Sequence, residues 1–186
     1  FIITAVADTT LTVYGGTDYT LTDAAISANY YSMVKSPLGF PMSPAKWSVI
    51  TTNTTDAKKT NPTASTYYNL GSINLVLPIG AWKLSYQVNF EMKSSNSVTL
   101  IYGNVALGTT NSSAVDDFEA YCVESSASSQ VQSTTGIYRE SFIEVTTKTT
   151  YYLNARAGMT LGTTGYLLFA GLTSGNTIIR AVCAYL

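Results

Sequence analysis

No histidine occurs in 186 residues, cysteine occurs twice, and only 11% of the residues are charged. Each shortage removes a class of function. Without an imidazole, Ser-His-acid and Cys-His nucleophiles have no base. Cys122 and Cys183 are too few for a disulfide framework or a four-ligand zinc site. Two buried thiols is the plain reading, and a bond between them the lesser one. The ten basic residues are scattered and the formal net charge is −1, which leaves no electrostatic footprint for nucleic acid or an anionic membrane. No apolar run approaches the ~20 residues that cross a bilayer. No glycine-rich loop is followed by Lys-Ser/Thr, so Gly15-Gly16 reads as a turn and not as a phosphate cradle. No cofactor is expected.

What is abundant points to strands. Hydrophobic residues make up 46% of the chain, tyrosine occurs 14 times, and Ser and Thr together supply about a quarter. Thr and Tyr suit a pleated, half-buried surface. The length fits one domain with a short extension. The sequence opens at Phe1 with neither Met nor the basic flank of a signal peptide, so a fragment or processed product is expected, with a preceding part that attaches it to something.

Along the chain, Thr9 to Tyr14 reads as a short strand with Leu11 and Val13 on one face. Asp23 could cap one helix over Ala24 to Val34, which Pro37 would stop. Ser36 to Pro44 carries three of the five prolines and marks a boundary, dividing the chain into residues 1–44, an extension or collar, and 45–186, the main domain. A strand led by Trp47 is expected at Lys46 to Thr52, then a polar loop from Thr51 to Ser65.

The clearest signal follows Pro78 and Gly80: Trp82, Leu84, Tyr86, Val88, Phe90 and Met92 alternate with Lys83, Ser85, Gln87, Asn89 and Glu91, predicting a long strand with one buried face. Further strands are predicted at Val98 to Tyr102, Ala114 to Glu124, Gly136 to Val145, Thr150 to Ala157, Gly165 to Leu172 and Thr177 to Leu186. The last is apolar at nearly every position, as in a strand covered on both sides. Many strands at short spacing predict an all-β sandwich or barrel.

Three features carry a family resemblance: the Pro78-x-Gly80-x-Trp82 lead into the long strand, the Tyr-rich strand Thr150 to Arg156, and the apolar terminal strand. From Leu77 onward the chain resembles the trimeric jelly-roll heads of the tumour-necrosis-factor and complement-head type. The His-free, Ser/Thr-rich composition is more similar to the versions at the tips of phage fibres, above all the C-terminal knob of the tail needle of short-tailed phages. The resemblance implies an all-β jelly-roll sandwich, a homotrimer, a place at the virion tail tip, and contact with a bacterial cell envelope during adsorption or penetration. Residues 1–44 would then be a shaft end or collar. Tyr-rich faces and the apolar terminal strand agree with self-association, since one sandwich conceals less apolar surface than they offer.

Among single residues, the three arginines, Arg139, Arg156 and Arg180, all fall in predicted strands. Tyr152, Asn154 and Arg156 share one strand face, a combination able to hold a small carboxylate or a sugar, most readily between subunits. A salt bridge from Arg156 to Glu140 or Glu144 of a neighbour is an equally good reading. Glu140 and Glu144 lie four residues apart, roughly 13 Å along a strand. Glycosidase carboxylates sit ~5 to 9.5 Å apart, so solvated surface charge is the better reading. Asp116-Asp117-Phe118-Glu119 lacks the spacing of a calcium loop. No catalytic and no metal residue is expected. The leading expectation is a virion attachment knob. The alternatives are a stand-alone carbohydrate-binding module or adhesin with exposed Trp47 or Tyr as a platform, and a glycan-cleaving tail enzyme.

Overall fold

The computed structural model describes residues 2–14, 48–78, 80–98, 100–113, 118–125, 132–171 and 175–185. The expected helix at 24–34, the proline-rich boundary, Trp47 and the pair Asp116-Asp117 lie outside them. The chain is all-β. Strands β1 (Ile2–Ala7) and β2 (Thr10–Tyr14) form a two-stranded antiparallel hairpin of their own. The other ten strands form two antiparallel sheets packed as a sandwich.

One sheet contains β3 (Ser48–Asn53), β4 (Ala57–Thr60), β6 (Gly80–Lys93), β9 (Gln132–Val145), β11 (Tyr166–Ala170) and β12 (Thr177–Tyr185). The second contains β5 (Asn74–Leu77), β7 (Leu100–Gly108), β8 (Glu119–Ser125) and β10 (Thr149–Ala157), in the order β5-β10-β7-β8. In the first sheet β9 pairs with the whole of β6 along one edge. Along its other edge β6 pairs first with β12 and then with β11, which therefore run end to end. Gln87 faces Ile178 and Asn89 faces Ala170, so β12 and β11 meet β6 on either side of Val88. Beyond them β3 and β4 run end to end in the same way. The larger sheet is thus four strand lines wide: β3/β4, β12/β11, β6 and β9.

The alternation in β6 is realised as expected. Trp82 is 5% exposed, and Leu84, Tyr86, Val88, Phe90 and Met92 lie at or below 1%. They meet Leu75, Leu77, Ile101, Val105, Leu107, Leu153 and Ala155 of the other sheet in one core. Each large side chain so buried contributes about 1.5–3 kcal/mol of transfer free energy. Phe90 and Phe169 meet edge-on with centroids 6.0 Å apart.

Two expectations need correction. The segment from Thr51 to Ser65 is not one long loop: β3 runs to Asn53 and β4 occupies Ala57–Thr60, paired with β11. Its polarity is that of an edge strand, where lysines on the rim discourage further pairing. Lys58 and Lys59 also lie over the rings of Tyr166 and Tyr68, at 4.0 and 5.0 Å. Nor is β12 covered on both sides within the chain. Ile179 and Ala181 are sealed in the core, but Ile178 and Val182 are only half-buried on the outer face and Arg180 is exposed there.

Candidate functional site

Tyr152, Asn154 and Arg156 do share the outer face of β10, since Leu153, Ala155 and Ala157 point into the core. They do not form one site. Asn154 is fully buried, and its amide is consumed in fastening a loop: Nδ2 donates to the carbonyls of Thr110 and Ser113, and Oδ1 accepts from the backbone N–H of Ser112. An asparagine satisfied in this way has no donor left to aim at a ligand. Tyr152 is half-buried, in register between Asn74 and Gly108.

Arg156 lies opposite Asn104 of β7. Its Nε donates to Asn104 Oδ1 at 3.1 Å, and its guanidinium carbon lies 4.9 Å from the ring centroid of Tyr67. Asn104 turns its Nδ2 to Glu119 Oε2 at 3.4 Å, and the Tyr67 hydroxyl donates to the other oxygen of Glu119. The four side chains close a ring in which Tyr67 and Asn104 are buried while Arg156 and Glu119 are half-buried. Within the chain Arg156 makes no salt bridge to Glu140 or Glu144. Those residues are exposed on the other sheet, where Glu140 accepts from Lys83 Nζ at 3.0 Å and from the Tyr138 hydroxyl. These two donors hold the Glu140 carboxyl below its ordinary pKa, and the same contact raises the Tyr138 hydroxyl.

Tyr67, Asn104 and Glu119 are the members sequence reasoning missed. Asn104 alone left a signal, as an amide inside a predominantly apolar run from Ile101 to Leu107. Tyr67 reaches Glu119 across 52 residues of sequence, and no local pattern announces such a contact.

A second surface lies on the outer face of the larger sheet. Its cross-strand rows read Ser48-Val182-Lys83-Phe142, Ile50-Arg180-Ser85-Glu140 and Thr52-Ile178-Gln87-Tyr138. Phe142 is 73% exposed, Tyr138 57% and Ile50 52%, with Ile178 and Val182 half-buried between them. β9, which carries Phe142 and Tyr138, is a 14-residue strand in unbroken register with β6, and no strand pairs its other edge among the described residues.

Cys183 is half-buried in register with Trp82, and the side chain of Cys122 lies outside the described residues. Among the described residues no three metal-ligating side chains converge. Compared with known proteins, the chain matches no protein-family model and no curated protein.

Proposed function

We propose that this chain is an attachment head: a jelly-roll knob that assembles as a homotrimer at the tip of a phage tail needle or fibre and meets the envelope of a host cell. Strand order supports the jelly-roll reading. Counting the end-to-end pairs β3/β4 and β11/β12 as single strands gives eight, ordered 1-8-3-6 in one sheet and 2-7-4-5 in the other. That order is what a chain wound as two Greek keys produces.

The observation that carries self-association is the outer face of the larger sheet. A core as complete as this one needs no further apolar surface, yet Phe142, Tyr138 and Ile50 stand out on a regular, well-ordered face. On this face they are interleaved with Arg180, Ser85 and Glu140, and a mixed apolar and charged surface of this kind suits contact with a partner. β9 is also a long edge strand without proline or bulge, and its exposed Arg139, Glu140 and Glu144 are charges that a partner along it would have to answer. A binding role rather than a catalytic one is supported by the lack of histidine and by the fate of the carboxylates. Glu91, Glu119, Glu140 and Asp56 each accept hydrogen bonds from tyrosine, amide, hydroxyl, lysine or backbone groups of the fold.

The test is the mass in solution by light scattering at micromolar concentration. The expected value is three times the 19.9 kDa of one chain. Phe142→Glu should shift it toward a single chain without lowering the melting temperature of the subunit. A wild-type mass of 19.9 kDa would overturn the trimer.

One observation favours a second reading, a carbohydrate-binding module. Tyr138 and Phe142 occupy solvent-facing strand positions, as a sugar platform requires. Buried Trp82 offers nothing to it. In that case Phe142→Glu abolishes glycan binding and leaves a monomer's mass unchanged.

A further inference from the structure

We propose that Arg156 is the seat for a carboxylate group of the ligand the head binds. The inference deepens the attachment reading by naming the chemistry recognised, and it rests on that reading for its biological sense. An arginine on a strand normally meets an acid. Among the described residues Arg156 does not: its contacts are the side-chain oxygen of Asn104 at Nε and the face of Tyr67. The acid in the cluster, Glu119, is turned to Asn104 Nδ2 and the Tyr67 hydroxyl instead.

Three consequences follow. With Nε and the plane of the guanidinium both fixed, the edge carrying the two Nη groups is held in one orientation, and no described side chain takes it up. That edge presents two parallel N–H donors, the geometry a carboxylate accepts in bidentate fashion. Because the side chain is already immobilised, little rotamer entropy remains to be lost on binding. Glu119 keeps the local charge near balance, which suits a singly charged planar carboxylate better than a dianionic phosphate.

A carboxylate can arrive on an acidic sugar or on a free organic acid, and titration separates the two. The full chain, labelled with 15N, is titrated with sodium glucuronate, sodium acetate and glucose, following the Arg156 Nε–H signal and the backbone amides of Asn104 and Glu119. Saturable shifts with glucuronate and acetate, and none with glucose, are expected. Glucuronate binding at least about tenfold tighter than acetate assigns the site to acidic glycans, and equal binding assigns it to small acids. Arg156→Lys, which keeps the charge but loses the fork, should weaken binding about tenfold or more. Equal shifts with glucose, no shift with any of the three, or undiminished affinity in the Lys variant overturns the proposal. The wild-type titration stands even if the variant fails to fold. Mass in solution is read separately, so failure of the ligand site and failure of the assembly are distinct results.

Discussion

The hydroxyl of Tyr86, at the centre of β6, lies 3.2 Å from the carbonyl oxygen of Val105 in the opposite sheet. The carbonyl of Phe118 is equally close, so one hydroxyl proton is offered to two acceptors. The rings of Tyr86 and Phe118 meet at 6.0 Å. This polar cross-tie fixes the spacing of the sheets where apolar contact alone would allow sliding. Tyr86→Phe should keep the fold and cost about 1 kcal/mol, the net worth of a buried hydrogen bond lost. Urea unfolding, with an unchanged slope, is the measurement.

The same tyrosine makes stability depend on alkaline pH. Burial, opposed by Arg139, raises the Tyr86 hydroxyl far above its ordinary value of 10.0, and burial with the Glu91 contact pushes Tyr166 up to about 12. Both groups keep their protons in the folded chain after the unfolded chain has released them. The contribution of these two tyrosines to stability should therefore be constant below pH 10, then fall as pH rises from there through 12. Tyr86→Phe should flatten the fall. A profile unchanged by that substitution would show that Tyr86 does not carry it.

Asn154→Ala should release the loop held at Thr110, Ser112 and Ser113. Three hydrogen bonds are lost, so about 2–4 kcal/mol is expected. Faster amide exchange at Ser112 in the variant, with no change at Tyr86, would locate the damage.

Gly103→Ala should be worse than a single methyl suggests. A Cβ at this position of β7 would come within 2.5 Å of Met92 Sδ and 2.6 Å of the Arg156 carbonyl oxygen. The sulfur can move but the neighbouring strand's carbonyl cannot, so overpacking of about 1–3 kcal/mol is expected. Arg156 would be displaced with its backbone, and the Nε–H signal reports that directly.

The long strands were legible because burial is written as alternation: Trp82 to Met92 needed no partner to be recognised. β4 and β5 were not legible. At four residues each, Ala57–Thr60 and Asn74–Leu77 are too short to display a period, and β4 is stabilised by pairing with β11 and by lysine-aromatic contacts. For the candidate site, sequence placed Tyr152, Asn154 and Arg156 on one face correctly. It misjudged Asn154 because the residues that use its amide lie more than 40 positions away. A shared face does not amount to a shared function when a distant loop folds over part of it.

β12 lies between β3 and β6, in the interior of its sheet. During synthesis β3 leaves the ribosome more than a hundred residues, and β6 more than eighty, before the segment that joins them. Until residues 177–185 emerge, β3 has no neighbour at all in the described sheet, and the apolar flank of β6 stays open to whatever else is nearby. The nascent chain must therefore wait, uncommitted, for β12. Copies growing side by side on one message have that interval in which to meet.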